Sequence, residues 1–248
     1  MTQTITEHWN QRAALGETAG TQDLIAKELE HRAILNALAE IKPSTILEVG
    51  CGRGELARLI VQNLPSVEYL AIDNSREMIA AAKAQPFRNA RLRYANRGVE
   101  HLPKGHFDCV ITERMLINLP SWEAQQQAID AIAERLNPGG YYLMCENSQD
   151  GLGVINSARA ALGLPAITAP WHNRYLQSGE LLTVQSLDWM VCKHFSSTYY
   201  FLSRVINAKL ADEAGHQPAY DAPINRLALT LPAHGPYAQG RLWIWQKP

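Results

Sequence analysis

The chain has 248 residues, of which 46% are hydrophobic and 19% are charged. This composition supplies enough apolar surface for a full core, and it excludes disordered, collagen-like and fibrous chains. The 23 Lys and Arg residues nearly balance the 24 Asp and Glu residues, so the net charge is -1. No overall field would therefore draw the protein to nucleic acid or to anionic lipid. A small molecule is the expected partner.

The cysteines and histidines show no metal-binding or disulfide pattern. Cys51, Cys109, Cys145 and Cys192 are widely spaced without a C-x-x-C pair, and no two histidines have H-x-x-x-H spacing. We therefore expect no metal and a reducing compartment. Residues 1–11 lack the basic and apolar regions of a signal peptide, and no run of eighteen apolar residues occurs. A cytoplasmic protein that does not span a membrane is expected.

Helices and strands are predicted to alternate through the first 146 residues. A helix over residues 24–40 precedes a sheet. The predicted strands cover residues 45–49, 69–72, 91–94, 107–112 and 141–145. The predicted helices between them cover residues 55–64, 76–84 and 122–136. This alternation is typical of a doubly wound, mostly parallel α/β sheet with right-handed crossovers.

The alternation ends after residue 146. A helix over 152–162, a β-rich stretch over 189–200 and a final strand over 241–246 are predicted, and residues 215–240 contain four prolines that disfavour regular structure. We predict a single domain over residues 1–248. Residues 1–42 are expected to form a helical cap, and residues 147–188 and 207–240 a lid on the substrate side.

The strongest local pattern is an apolar strand that turns through Gly50, Gly52 and Gly54 into a helix. Glycines tolerate positive φ and let a ligand approach the backbone, although an ordinary tight turn has the same pattern. Nineteen residues after Gly54, Asp73 ends the next predicted strand. A carboxylate at that place can accept both hydrogens of a ribose diol. The pair predicts a nucleotide-like cofactor.

The glycine spacing disfavours NAD. The dinucleotide pattern G-x-G-x-x-G requires glycine where this chain has Glu55, and an acidic side chain there would repel pyrophosphate. The sequence also lacks the G-x-x-x-x-G-K-[ST] pattern of a P-loop.

Further motifs accompany this loop: the acid after the second strand, Phe107-Asp108 opening the fourth, and L-N-P-G-G at residues 136–140. Together with E-x-G-C-G-x-G at residues 48–54, they resemble class I S-adenosylmethionine-dependent methyltransferases over about residues 40–148. The resemblance implies a seven-stranded Rossmann-like sheet, S-adenosyl-L-methionine as cofactor and S-adenosyl-L-homocysteine as product.

By this resemblance, Glu48 would lie near the cationic end of the cofactor, Asp73 would hold the ribose, and Asn74 and Met78 would lie against the adenine. Asn96 stands where the family often has an aspartate, and its amide oxygen can still accept a hydrogen bond. The full set of cofactor residues implied by the resemblance is Glu48, Gly50, Cys51, Gly52, Gly54, Asp73, Asn74, Met78, Asn96, Arg97, Glu113 and Arg114. Cys51 is interpreted as a small loop residue and not as a nucleophile.

The resemblance implies methyl transfer to an oxygen or nitrogen atom of a small molecule. An N-P-P-Y motif is absent, which disfavours methylation of a DNA base or a glutamine amide. His172 and Glu113 are the candidate general bases, although an acceptor that is already anionic needs none. Aromatic and arginine residues suggest an anionic or sugar-like acceptor. The candidate acceptor residues are Asn118, Trp171, His172, Arg174, Tyr175, Tyr199, Tyr200 and Arg204.

Three alternatives remain open: a regulatory or scaffold protein that binds the cofactor without turnover, an RNA methyltransferase and a protein methyltransferase. Four arginines between residues 88 and 97 would suit an RNA track, but such a run is more typical of a solvated edge strand. Residues 8–12 and 20–23 would either fold over the cofactor or tie down the terminus.

Overall fold

The computed structural model describes residues 3–248, which are built around one seven-stranded sheet. The strand order is β3-β2-β1-β4-β5-β7-β6. The strands are β1 (Thr45–Val49), β2 (Glu68–Asp73), β3 (Leu92–Asn96), β4 (Phe107–Glu113), β5 (Leu136–Asn147), β6 (Asp188–Lys193) and β7 (Gly240–Gln246). Strands β1 to β5 pair in parallel, whereas β7 runs antiparallel to β5 and β6. The predicted doubly wound sheet is confirmed.

Helices cover both faces of the sheet. They are α1 (Ile5–Arg12), α2 (Leu24–Ile41), α3 (Glu55–Asn63), α4 (Arg76–Ala84), α5 (Trp122–Glu134), α6 (Gln149–Ala161), α7 (Ser178–Leu181), α8 (Ser197–Tyr200), α9 (Asn207–Glu213) and α10 (Pro223–Arg226). Side-chain caps fix several helix starts: the Ser75 hydroxyl accepts from the Met78 amide, and the Ser121 hydroxyl accepts from the Ala124 amide. Each cap satisfies an amide that has no partner within its helix.

The hydrophobic core lies on both sides of the central strands. One side packs Ile46 and Tyr69 beneath α2 and α3, and the other packs Tyr142 and Trp243 beneath α5. Burial on both faces explains why these strands are continuous apolar runs and not alternating ones. The same parallel pairing brings the carboxyl ends of β1, β2 and β4 to one edge of the sheet.

The prediction of β structure through residue 200 is wrong. The strand β6 ends at Lys193, and α8 leads through a π-helix (Phe201–Ile206) into α9, so the chain is helical from Ser197 to Glu213. Tyr199 and Tyr200 favour strands by propensity, but here they are buried against Ile25 and Ile155. Burial of this helical face outweighs the local preference.

Helix α5 ends at Glu134, before the predicted boundary, and β5 begins at Leu136, before the glycines. The pairing of β4 with β5 shifts register between Phe107 and Cys109, so the Pro-Gly-Gly stretch forms an irregularity within the strand and not a loop before it. No helix in residues 3–248 is long and apolar enough to cross a membrane.

Candidate active site

A cleft opens at the carboxyl ends of β1, β2 and β4, and its free space counted out to the mouth is about 1010 Å³. Ligands of open α/β sheets bind at this edge, where the strand order reverses. Residues from the β1–α3 loop, the end of β2, the segment after β3 and the segment after β4 line it, as does the N-terminal segment. The predicted residues that line the cleft are Gly50, Cys51, Gly52, Asp73, Asn74, Met78, Arg97, Glu113, Arg114 and Asn118.

The three loop glycines have different roles. A Cβ added at Gly50 would lie 2.5 Å from Met115 Cγ, and one added at Gly54 would lie 2.5 Å from the Tyr94 hydroxyl. These two glycines therefore make room for the protein itself, and Gly54 does not line the cleft. Gly52 has φ +51° and no atom within 4 Å of an added Cβ. Only at Gly52 does the open backbone face the cleft.

Asp73 organises the loop and also faces the cleft. One carboxylate oxygen accepts from the Gly52 amide at 2.8 Å, and the other accepts from the Ser75 amide at 2.8 Å. Burial raises the pKa of Asp73, and these two hydrogen bonds act against that rise. Because each carboxylate oxygen can accept more than one hydrogen bond, the group keeps acceptor capacity toward the cleft.

The segment after β3 forms the side of the cleft near Asn74 and Met78. Arg97, Gly98, Val99 and Glu100 line it. Asn96, which was predicted to accept a hydrogen bond from the adenine, does not line the cleft. Its side-chain amide donates to the carbonyl oxygens of Asp73 and Asn74 at 2.9 and 3.0 Å, and so it joins the ends of β2 and β3.

A buried charged cluster closes the floor beside the end of β4. His31 Nε2 lies 3.3 Å from a Glu113 carboxylate oxygen, and Arg114 Nε lies 3.2 Å from Glu30. Burial alone would raise the pKa of Glu113, but His31, Arg114 and Lys27 outweigh it and hold that pKa below its ordinary value. The lowered pKa keeps Glu113 ionised and makes it a weak base.

Arg114 has φ +51°, an unfavourable conformation for a residue with a side chain. Such strain is typical of functional sites. In residues 3–248, no group of three or more His, Cys, Asp or Glu side chains is arranged to hold a metal ion.

Glu48, predicted to lie near the cationic end of the cofactor, does not line the cleft. Its carboxyl group is buried under the sheet edge and accepts from the Tyr69 hydroxyl at 2.9 Å. Burial raises the pKa of Glu48 to about 8, with further contributions from Glu113 and Asp73. Glu48 is therefore mainly protonated at neutral pH. Burial likewise raises the pKa of the Cys51 thiol, so it is not a thiolate.

We expect Glu48→Gln to reduce the pH dependence of stability. A carboxyl pKa raised from 4.5 to about 8 means that the folded state binds more protons than the unfolded state between those values. The free energy of unfolding therefore falls as the pH rises through this window, by on the order of 4 kcal/mol for this group. Urea unfolding between pH 5 and 8.5 should show a smaller fall for the variant than for the wild type.

The matched control is Glu134→Gln, since the Glu134 side chain is 72% exposed. That variant should keep the wild-type dependence on pH. Parallel profiles for Glu48→Gln and the wild type would contradict the assignment of a raised pKa to Glu48.

The N-terminal helix α1 and the loop after α6 pack together beside the cleft. Trp9 of α1 lines the cleft, and its ring centroid lies 5.6 Å from that of His172. Trp171 is 61% exposed beside it. Burial, His8 and Arg12 lower the pKa of His172 to about 4. His172 is therefore neutral at pH 7 but a weak base.

Of the predicted acceptor residues, Asn118 alone lines the cleft, and the arginines and tyrosines among them are held by the protein. Arg174 pairs with Glu180 and also donates to Gln125. Arg204 pairs with Asp23 at 2.5 Å. Arg114 lines the cleft but is paired with Glu30. These three arginines were the reason for predicting an anionic or sugar-like acceptor. Because each is paired with a carboxylate, they no longer support that prediction. Tyr175, Tyr199 and Tyr200 are buried.

No residue of the two segments predicted as a lid, 147–188 and 207–240, lines the cleft. His172 nevertheless packs against Trp9, which does line it. Among the lining residues, Ile5 and Lys27 were not predicted. Trp9 and Gly20 also line the cleft, which supports the open alternative that residues 8–12 and 20–23 fold over the site. No spacing in the sequence links them to the glycine loop.

Comparison with known proteins agrees with this geometry. Residues 46–140 match the family model described as a methyltransferase domain. The bifunctional biotin biosynthesis protein BioCD of Bordetella avium is 25% identical over 221 residues, covering 86% of this chain and 46% of that protein. Trans-aconitate 2-methyltransferase of Deinococcus radiodurans is 32% identical over 107 residues, covering 43% of this chain and 39% of that protein. The chain thus spans about half or less of these two relatives.

Solved structures share the fold at low identity. N-methyltransferase NodS from Bradyrhizobium japonicum, in complex with S-adenosylhomocysteine, has a TM-score of 0.60 and 13% identity over 98% of both chains. The putative methyltransferase in complex with the Trm112 activator of Haloferax volcanii has a TM-score of 0.64 and 17% identity over the full length of both chains.

The sheet order, the cleft and the matched domain define one class of protein. Residues 46–140 form a methyltransferase domain, and the fold around it is that of the class I S-adenosylmethionine-dependent methyltransferases. The methyl donor of this family is S-adenosylmethionine.

Proposed function

We propose that this protein transfers the methyl group of S-adenosylmethionine to an oxygen or nitrogen atom of a small molecule that enters the cleft. The observation that carries the proposal is the pairing of Gly52 with Asp73. The backbone is open at Gly52, and the adjacent carboxylate, fixed by two amides, retains acceptor capacity.

The residues of the cleft fit an adenosyl cofactor. The space in front of Gly52 would be filled by any Cβ, and Asp73 supplies an acceptor for a ribose diol. Met78 and Val99 supply apolar surface beside Asn74 for a planar base. Glu113, held ionised by His31 and Arg114, supplies negative charge toward a cationic ligand. When bound, S-adenosylmethionine supplies a methyl group on a sulfonium, which is a good electrophile.

The chain's own contribution to the reaction is alignment and removal of water. Neither candidate base suits proton abstraction near pH 7, because Glu113 is stabilised as a carboxylate and the pKa of His172 is about 4. The acceptor lone pair therefore forms the bond to the methyl carbon as the carbon–sulfur bond breaks, and the methylated product loses its proton to solvent when it is released. Correct positioning of two reactants can supply about 7 to 11 kcal/mol of the barrier. We therefore assign to the cleft walls the holding of the acceptor and to α1 the exclusion of solvent.

A small acceptor is favoured over RNA by the arginines near β3. Arg91 pairs with Glu68, and Arg88 donates to the backbone carbonyl oxygens of Gln85 and Phe87. These two arginines are tied to their own neighbours, as expected for a solvated edge strand, and Arg97 lines the cleft. Binding of nucleic acid would need a row of cations directed at phosphates.

The test is to incubate the protein with methyl-labelled S-adenosylmethionine and a size-fractionated cell extract, and to identify labelled compounds by mass. We expect label in a compound of low molecular mass with the wild type and none with Gly52→Val. Label only in RNA or protein would contradict the proposed acceptor class. Tight cofactor binding without any labelled product would instead favour a regulatory protein that binds the cofactor.

A further inference from the structure

Four aromatic side chains meet beside the cleft, and we name His8, Trp9, Trp171 and His172 the aromatic cluster; Trp9 lines the cleft, and the other three pack together around it. The imidazole rings of His8 and His172 are stacked, with centroids 4.3 Å apart and planes tilted by 31°. The two indoles meet them edge to face, with centroids 5.0 to 5.6 Å apart. These are favourable aromatic geometries, so the cluster is a defined unit.

The cluster is held close to the end of β4. The Arg174 amide donates to the Ile117 carbonyl at 2.7 Å, and the Asn173 side chain donates to Asn118 at 3.2 Å. Gln125, which is fully buried, donates to the carbonyl oxygens of Leu116 and Arg174. Asn118 itself lines the cleft. The loop that carries Trp171 and His172 is therefore fixed to the segment that forms the cleft wall.

The cluster presents apolar surface with neutral polar groups. Trp171 is 61% exposed although it packs edge to face against His8 and His172, so much of its indole remains open to a ligand. Burial lowers the pKa of both imidazoles, and Arg12 adds to the effect, so both rings are uncharged at neutral pH. Arg12 itself donates to the carbonyl oxygens of Ala19 and Thr18 and does not offer its guanidinium to an anion.

Two ring nitrogens of the cluster have no hydrogen-bond partner in the described part of the chain: His8 Nε2 and His172 Nδ1. Both atoms are buried, and a buried polar atom without a partner is costly. A neutral imidazole offers one donor and one acceptor. A ligand that stacks on the indoles and carries a hydroxyl or ring nitrogen would supply the missing partner when an imidazole turns its nitrogen toward it.

We propose that the aromatic cluster is the acceptor subsite and that it stacks a planar, uncharged aromatic ring carrying the nucleophilic oxygen or nitrogen. This inference rests on the proposed function, because it names the substrate class of the same cleft. The stacking surface of Trp171 and Trp9 selects for a flat ring, and the unpartnered nitrogens orient its polar atom. The lack of an unpaired arginine in the cluster disfavours an anionic acceptor.

The test compares two ligands of one skeleton, planar 2-naphthol and saturated decahydro-2-naphthol. Their affinities are measured by calorimetry with and without saturating S-adenosylhomocysteine. We expect 2-naphthol to bind at least about 3-fold more tightly than the saturated alcohol, and Trp171→Leu to weaken its binding by about 3- to 10-fold. The variant should bind S-adenosylhomocysteine as the wild type does.

Trp189→Leu is the matched control. Trp189 is a partly exposed indole, 37% accessible, on β6, where it packs against Trp245 and does not line the cleft. The Trp189→Leu variant should bind 2-naphthol as the wild type does.

Equal affinity for the planar and saturated alcohols, or equal effects of the two tryptophan substitutions, would overturn the inference. Failure of the wild type to bind S-adenosylhomocysteine would contradict the proposed function instead. The titrations without S-adenosylhomocysteine would still decide whether the cluster prefers planar rings.

Discussion

Replacing Gly52 with valine is expected to abolish most binding of S-adenosylhomocysteine while the protein stays folded. The new side chain meets no protein atom within 4 Å of its Cβ, so it extends into the space proposed for the cofactor. Overlap of this kind costs about 3 kcal/mol or more in a packed site, which is a loss of about 100-fold or more in affinity. Calorimetric titration measures this loss directly.

The backbone contribution to this loss needs its own control, because Gly52 has φ +51°. A side chain in that conformation costs roughly 1–2 kcal/mol of stability wherever it occurs. Gly163 has φ +72° and likewise no atom within 4 Å of an added Cβ, but it lies at the end of α6 outside the cleft. Gly163→Val should lose similar stability and keep wild-type affinity. Equal losses of affinity in both variants would show that strain, and not the cleft, causes the effect.

Replacing Asp73 with alanine is expected to weaken binding of the same ligand by about 10- to 150-fold. The estimate is the loss of one charge-assisted pair of hydrogen bonds, about 1.5 to 3 kcal/mol. The substitution also leaves the Gly52 and Ser75 amides without their acceptor. The free energy of unfolding should therefore fall by roughly 1–3 kcal/mol for each of these amides that is not hydrogen-bonded to water. Thermal unfolding would detect this fall.

Asp108 provides the matched control for Asp73. Its carboxylate also accepts from two backbone amides, those of Ser44 and Thr45 at 3.0 Å each, but at the start of β4 and far from the lining of the cleft. Asp108→Ala should reduce stability and leave affinity unchanged. If both aspartate variants lost affinity to the same degree, Asp73 would act only through the fold.

The local patterns of the sequence predicted the central sheet and the position of the cleft. The buried strand before Gly50, the glycine turn and the acid at the end of β2 are all encoded within about 30 residues, so spacing alone indicates them. What spacing cannot distinguish is the reason for each glycine. Gly54 is required by contact with Tyr94, a residue two strands away along the sheet.

The surroundings of the residues proposed to bind the methyl acceptor were predicted less well, because their contacts join distant parts of the chain. Arg204 and Asp23 are separated by 181 positions, and no local pattern shows that this arginine is already paired. Helix α1 has no fully buried residue, so its apolar pattern was too weak to predict it. Its side chain Trp9 nevertheless lines the cleft.

The same cause explains the wrong prediction for residues 197–200. Their tyrosines favour strands, but burial against α2 and α6 selects a helix. Such long-range packing overrides local propensity wherever the two disagree.

The most direct measurement of the central claim is a crystal structure of the protein with S-adenosylhomocysteine. The account predicts the adenosyl group beside Gly52, with ribose hydroxyls about 2.5 to 3.0 Å from the Asp73 carboxylate oxygens. A ligand bound at another place, or a ribose that makes no contact with Asp73, would contradict it.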